Sequence, residues 1–243
     1  MCIRDRHNII KGTDYQERKN IMEKKLTYKD IVKNKEINML IDKGNSILKS
    51  MGFTDHSSKH AAKVAVRAGW LLKSLGFGRR DIELGQIAGY MHDIGNCINR
   101  SDHAHSGAIL AYRILSELNA PLEDIMTIAA AIGHHDESTG TAVDPISAAL
   151  ILADKTDVRR NRVQNPVKAN FDIHDRVNYA ALSSKLEINE EKKTIQMNLE
   201  LDDDICSLMD YFEIFLQRMI MCKRAAETFG YKFKLVANGS KLC

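Results

Sequence analysis

Apolar residues at helical spacing recur from Thr27 to Leu182, and this repetition constrains the fold more than any other feature of the chain. Thr27 with Asp30 makes a capping-box-like start, with Asp as the acid. Ile37, Leu40, Ile41, Leu48 and Met51 then follow one stripe, and Gly52 suits the stop. A helix over about 57–75 turns Ala61, Val64, Ala65, Ala68, Leu72 and Leu75 inward and ends at Gly76. The next, over about 81–92, carries Gly85, Ala88 and Gly89, a smooth face that a neighbouring helix can approach closely. Helices over about 105–118 and 122–134 follow. Asp144-Pro145 is an N-cap with proline at the first helical position, opening a helix through Asp154. The 3 prolines and 44% hydrophobic residues leave this pattern little interrupted and supply a core.

The period changes after Ser183. Residues 185–188 and 194–201 alternate around a polar turn at 189–193, which predicts a β-hairpin. A long amphipathic helix over about 203–229 comes next, and residues 231–236 can add a third strand. The expected fold class is therefore mainly α, a helical domain over 22–182 with a small α+β appendage over 183–243. Leu208, Tyr211, Phe212, Phe215, Met219 and Cys222 form the long helix's apolar stripe. It suits the hairpin's need for a cover, with a homodimer seam as the alternative. Trp70 reads as packing. Residues 1–21 are expected to be spurious or disordered, because Met22 opens MEKKLTYKD, which reads like an ordinary bacterial start.

Lys+Arg 35 against Asp+Glu 32 gives +3, too balanced for general nucleic-acid binding. The 5 cysteines are scattered and odd in number, which disfavours a disulfide framework and points to a reducing, cytoplasmic setting. No apolar run approaches the ~18–20 residues that span a bilayer.

Four side chains carry chemistry. His60 lies four residues before Val64 and eight before Ala68, on the inward stripe. His92 continues the small-residue face of its helix, Asp93 follows one step round, and Asp154 falls four after Leu150. A bare buried carboxylate costs several kcal/mol unless it is paired or bound to a metal. Each residue alone also has an ordinary reading: His60 as a core histidine, Asp154 as a partner of Arg159 or Arg160. Together they can hold a divalent cation.

His60 with Val64, Ala68 and Leu75-Gly76, then IAGYMHDIGN, then ILADKTD, resembles the HD superfamily of metal-dependent phosphohydrolases over about residues 54–160. The resemblance implies an HD-type helical bundle, with His60, His92, Asp93 and Asp154 as metal ligands and Asp93 as the residue able to bridge two ions and to orient the nucleophilic water. His103, four before Gly107, and the pair His134-His135 resemble the second-ion histidines of dinuclear members. His135 lies three after Ile132 and seven after Ile128, so it faces inward more surely than His134. Two departures stand against cyclic-di-GMP hydrolysis. Asn96 occupies the place where such two-metal phosphodiesterases usually carry Lys, and their Gly-Tyr-Pro segment after the double His is absent. Members that cleave dinucleoside polyphosphates share the histidine pattern more closely.

Mixed imidazole and carboxylate ligands suit one or two ions of Mn, Fe, Co, Ni or Zn. The expected function is hydrolysis of a phosphate ester or anhydride by metal-activated water on a small, nucleotide-type phosphorylated substrate. The alternative is a non-catalytic module that senses a nucleotide or metal. Lys155, Arg159, Arg160 and Arg162 follow the last ligand directly. On a helix extended past Asp154 some of these would flank the metal mouth and grip phosphate; a solvated basic face, or salt bridges with Asp157 and the segment 172–175, is the other reading. His56, one turn before His60, either lines the pocket or caps the helix.

Overall fold

The structure, a computed structural model, describes residues 24–167 and 171–242. The expectation for residues 1–21 lies outside them. The helical part comprises α1 (Tyr28–Val32), α2 (Lys35–Ser50), α3 (Ser58–Ser74), α4 (Arg79–Met91), α5 (His103–Glu117), α6 (Leu122–Gly133), α7 (Pro145–Lys155) and α8 (Ile173–Ala180). Short 3-10 turns occupy Ile94–Cys97 and Arg160–Arg162. The remainder is β1 (Ala181–Asn189), β2 (Thr194–Leu201), α9 (Leu208–Thr228), β3 (Lys232–Ala237) and β4 (Ser240–Lys241). The fold class is as expected: mainly helical with a small C-terminal sheet.

Local chemistry sets most of the helix starts. Thr27 and Asp30 form the full reciprocal capping box, as do Asp144 with Ser147 ahead of Pro145, and Ser207 with Asp210 ahead of α9. The first expected helix is split, because Asn34 caps a new start and accepts from the Ile37 amide.

α3 and α4 pack along their length, and α7 crosses both. Gly89 makes the approach possible: a Cβ there would sit 2.7 Å from the Ala65 Cα. Gly95 does the same after α4. A Cβ would overlap the His103 carbonyl and lie 2.6 Å from the Gly107 amide nitrogen, so only glycine lets the start of α5 rest on the turn. These two contacts bring the ends of α3, α4 and α5 to one place.

The sheet has the order β1-β2-β3-β4. β1 and β2 form the expected antiparallel hairpin, with a register irregularity between Ala181 and Ser183. β3 lies parallel to β2, the two being joined by α9, and β4 returns antiparallel to β3. β1 begins four residues before the expected start, and β4 was not expected. Tyr211, Phe215, Met219 and Cys222 are buried, and α9 packs on α7 as well as on β2 and β3. Each such large apolar side chain contributes about 1.5–3 kcal/mol on burial. α9 therefore covers the sheet and also seals the helical core. Trp70, read as a packing residue, is only partly covered. It is 39% exposed, on the outer face of α3 with Lys63, Val66 and Arg67, facing a groove beside β1. No helix among the described residues is long and apolar enough to cross a membrane.

Candidate metal centre

His60 sits in the first turn of α3, His92 and Asp93 at the end of α4, and Asp154 in the last turn of α7. Their side chains meet. His60 Nε2 is 3.2 Å from Asp154 Oδ1 and 3.8 Å from Asp93 Oδ2, and His92 Nε2 is 3.0 Å from Asp93 Oδ2 and 3.6 Å from Asp154 Oδ1. On the other side of Asp93, His103 Nε2 lies 3.5 Å and His135 Nε2 3.9 Å from Oδ1. The two oxygens of Asp93 thus face two groups of imidazoles.

The outer nitrogens decide what the inner ones can do. His92 Nδ1 is 2.8 Å from the Gly89 carbonyl, His135 Nδ1 2.6 Å from that of Ile132, and His103 Nδ1 3.1 Å from that of Arg100. A carbonyl oxygen only accepts, so each Nδ1 carries a proton, and Nε2 is the atom that presents a lone pair when the ring is neutral. His60 Nδ1 meets a carboxylate instead, Asp157 Oδ2 at 2.9 Å. Two Nε2 atoms, those of His60 and His92, are buried without a hydrogen-bond partner. The Nε2 atoms of His103 and His135 face each other at 3.2 Å. Buried lone pairs that converge on carboxylates are costly on their own and fit a cation. Ligand atoms about 2.0–2.2 Å from one ion would stand at spacings of this order. His60, His92 and Asp154 form one sufficient cluster, and His92, Asp93 and His135 another.

Electrostatics point the same way. Burial pushes the Asp93 carboxyl up, but the charge of His92 beside it outweighs that and holds Asp93 well below the usual range. Asp154 is likewise pushed up by burial and held well below by Lys155, with help from His60 and His92. Burial lowers His135 to about 3, and it also lowers His103 and His56. These rings are neutral lone-pair donors at neutral pH. His92 behaves oppositely: burial lowers it, but Asp93 and Asp154 together raise it to about 10, so a proton competes with a cation for its Nε2.

A polar cavity of about 20 Å³ adjoins the cluster, lined by Thr54, His56 and Arg100, by the ligand side chains, and by Lys155, Arg162 and Arg218. His56 does line the pocket, with Nδ1 2.6 Å from the Thr54 carbonyl. Of the expected basic run, Lys155 and Arg162 face this cavity. Arg159 and Arg160 do not, and that expectation is corrected. α7 ends at Lys155, so no helix carries their side chains round to the mouth. Arg159 instead grips Asp157 with Nε at 2.7 Å and Nη2 at 2.8 Å. Arg160 reaches the Tyr179 carbonyl and Asp202 and stacks on the Tyr179 ring. His134 also falls outside both clusters; it caps α6, and its buried Nδ1 lacks a hydrogen-bond partner.

A family model described as the HD domain matches residues 58–213, more than half of the chain. The chain belongs to the HD-domain family. A relative of this HD-domain protein is the uncharacterized protein MJ1020 of Methanocaldococcus jannaschii, 26% identical over 205 residues that cover 74% of this chain and 78% of that protein. Metal-dependent phosphohydrolases make up the superfamily to which the match assigns this HD-domain chain. The matched span also crosses the expected boundary at 182/183 and reaches into α9, in keeping with the packing of α9 on α7.

Several participants were not read from sequence. Asp157, which orients His60, stands three residues after Asp154, and the need of a ligating imidazole for an outer acceptor was the signal for it. Asn96 donates to Asp93 Oδ1 at 2.8 Å and so fixes the bridging carboxylate. Arg100 follows it at helical spacing, one turn on. Arg218, far away on α9, has no local signature.

Proposed function

We propose that this protein hydrolyses a phosphate ester or phosphoanhydride of a small, nucleotide-type substrate, using one or two divalent transition ions held by His60, His92, Asp93 and Asp154, with His103 and His135 on the second side. The observation that carries this reading is the shared tautomer. Four imidazoles each give Nδ1–H to an oxygen and turn Nε2 toward Asp93, those of His60 and His92 toward Asp154 as well. A divalent ion held there supplies Lewis acidity, bringing the pKa of a bound water from 15.7 towards ~7 and neutralising phosphoryl oxygens. Asp93, fixed by Asn96, orients the attacking water between the two imidazole groups. Lys155 and Arg100 line the cavity and offer donors to phosphoryl oxygens. Arg162 is a support: it donates to the Asp55 and Asp157 carbonyls and ties the segment after α7 to the start of α3. The unpaired Cys97, Cys206 and Cys222 support a reducing, cytoplasmic setting.

The nucleotide-sensor reading draws on Asn96, whose amide fills one lone pair of Asp93 where a cation would add charge. A screen of nucleotides, dinucleotides and phosphate esters with each transition ion, together with elemental analysis, separates the two. Turnover that Asp93→Ala abolishes with the fold intact supports hydrolysis. Stoichiometric nucleotide binding without product under every ion would favour the sensor.

A further inference from the structure

Two of the side chains that line the cavity beside the metal cluster, Lys155 and Arg218, share a carboxylate that the hydrolytic reading does not use. Glu137, on the segment between α6 and α7, places one carboxylate oxygen 2.7 Å from Lys155 Nζ and the other 3.0 Å from Arg218 Nε. Lys155 is 5% exposed, and its ammonium also lies 2.9 Å from Asp154 Oδ2. One cation thus touches both the metal-holding carboxylate and Glu137. Arg218 stands on α9, stacked over the Phe215 ring at 4.6 Å, which fixes the plane of its guanidinium. Only its Nε is engaged by Glu137. Its Nη atoms, which carry four of its five N–H donors, have no hydrogen-bond partner among the described residues.

Across the same cavity Arg100 has no carboxylate within ion-pair reach among the described residues; its contacts are Asn96 Oδ1 and His103 Nε2 at 3.4 and 3.3 Å. Every side chain lining the cavity is polar or charged. It offers no face on which a base or other apolar group can rest. Its free volume, about 20 Å³, is that of roughly one water. An anionic group larger than this enters only where a side chain gives way, and the Glu137 carboxylate already occupies an anion position between the buried Lys155 and the partly buried Arg218. A phosphoryl group offers the same charge-assisted contacts with more oxygens and a second negative charge.

We propose that Lys155 and Arg218 form a second anion subsite beside the metal cluster, and that the substrate is a phosphoanhydride whose non-reacting phosphoryl group displaces the Glu137 carboxylate from it. The inference rests on the hydrolytic reading for the position of the reacting group. Because Lys155 spans Asp154 and Glu137, the second group lies directly next to the first. Adjacent phosphoryl groups meet that requirement, and a monoester does not. The organic part of the substrate then lies outside this polar pocket.

The test uses the full-length, metal-loaded protein and two probes that are not hydrolysed, methylphosphonate with one anionic group and methylenediphosphonate with two. Calorimetry should show tighter binding of the diphosphonate. Glu137→Gln removes the competing charge and should tighten the diphosphonate about tenfold, with methylphosphonate unchanged, while Arg218→Gln should weaken it about tenfold. Arg218→Lys, which keeps the charge, should fall between and carries the test if the Gln variant does not fold. An increase in affinity on Glu137→Gln is not expected of a merely structural ion pair. If neither substitution alters the preference for two groups over one, both probes sit on the ions alone and the subsite is refuted, with the metal centre untouched. If neither probe binds and elemental analysis finds no ion, the hydrolytic reading fails first and the subsite falls with it.

Discussion

Replacing Asp157 should weaken metal binding although Asp157 touches no ion. The residue is 2% exposed, and its carboxylate accepts from His60 Nδ1 at 2.9 Å and from Arg159 at 2.7 and 2.8 Å, and lies 3.4 Å from Lys63 Nζ. The bond to His60 is charge-assisted and contributes about 1.5–3 kcal/mol, against about 0.5–1.5 for a neutral acceptor. Asp157→Asn keeps the shape and one acceptor oxygen, so the loss is about 1–1.5 kcal/mol, roughly 5- to 15-fold in affinity. That falls at the lower end of the ~10–100-fold typical of outer-sphere partners. Stability should fall less than for most buried ion pairs. Arg159 and Lys63 are 22% and 38% exposed and can turn to solvent, and Arg162 holds the Asp157 backbone carbonyl, which Asn retains. The assay is competition for Zn²⁺ or Mn²⁺ against a chelator of known affinity, with a thermal melt as control. Affinity within twofold of wild type in a folded variant would refute the claim that Asp157 sets the tautomer and aim of His60.

Gly95→Ala should destabilise by about 1–3 kcal/mol, because its methyl group meets backbone on both sides, at His103 and Gly107; a thermal melt within a degree of wild type would show that α5 can move away freely. Cation uptake near pH 7 should release a proton, because His92 is raised to about 10 in the metal-free protein and must give its Nε2 to the ion. Calorimetry in buffers of different ionisation enthalpy reads that release, and an uptake independent of buffer would contradict it. Asp93, Asp154, Asp157 and Glu137 are all held below their ordinary values. Their stabilisation of the metal-free protein is therefore complete above about pH 5 and is lost as pH falls further. The lowered His56, His103 and His135 cost stability below about pH 6.5, where the unfolded rings take up protons, and the raised His92 offsets one of the three. A melt series from pH 7 to 3 should show stability falling gently from about pH 6.5 and more steeply below about pH 5. Arg160→Ala should leave substrate affinity within about twofold, since Arg160 binds Tyr179 and Asp202 away from the cavity; a tenfold rise in KM would return it to the site.

What could be read from the chain beforehand was local or periodic. The caps at Thr27 and Asp144 lie within four residues of their partners, so their chemistry is complete in sequence. His60 and His92 were placed by helical spacing, and both fall in buried helix-end positions that converge. The reading failed where a contact bridges distant segments. Ser183 and Ser184 hid the start of β1, although the Ser184 hydroxyl is held by the Thr156 carbonyl at 2.7 Å. Arg159 and Arg160 were placed by extending a helix that stops at Lys155, and nothing near Lys155 marks a helix end as an N-cap marks a start. Arg218 enters the cavity only because α9 crosses α7, a packing decision made across the whole domain.

The central claim is that a cation sits among the Nε2 atoms of His60 and His92 and the carboxylates of Asp93 and Asp154. Anomalous diffraction at the absorption edge of Mn or Zn, from crystals grown with that ion, tests it most directly. The account predicts a peak about 2.0–2.2 Å from both nitrogens and from Asp154 Oδ1, with any second peak on the His103–His135 side of Asp93. Peaks only at surface residues, or rings turned so that Nδ1 faces the cluster, would contradict it.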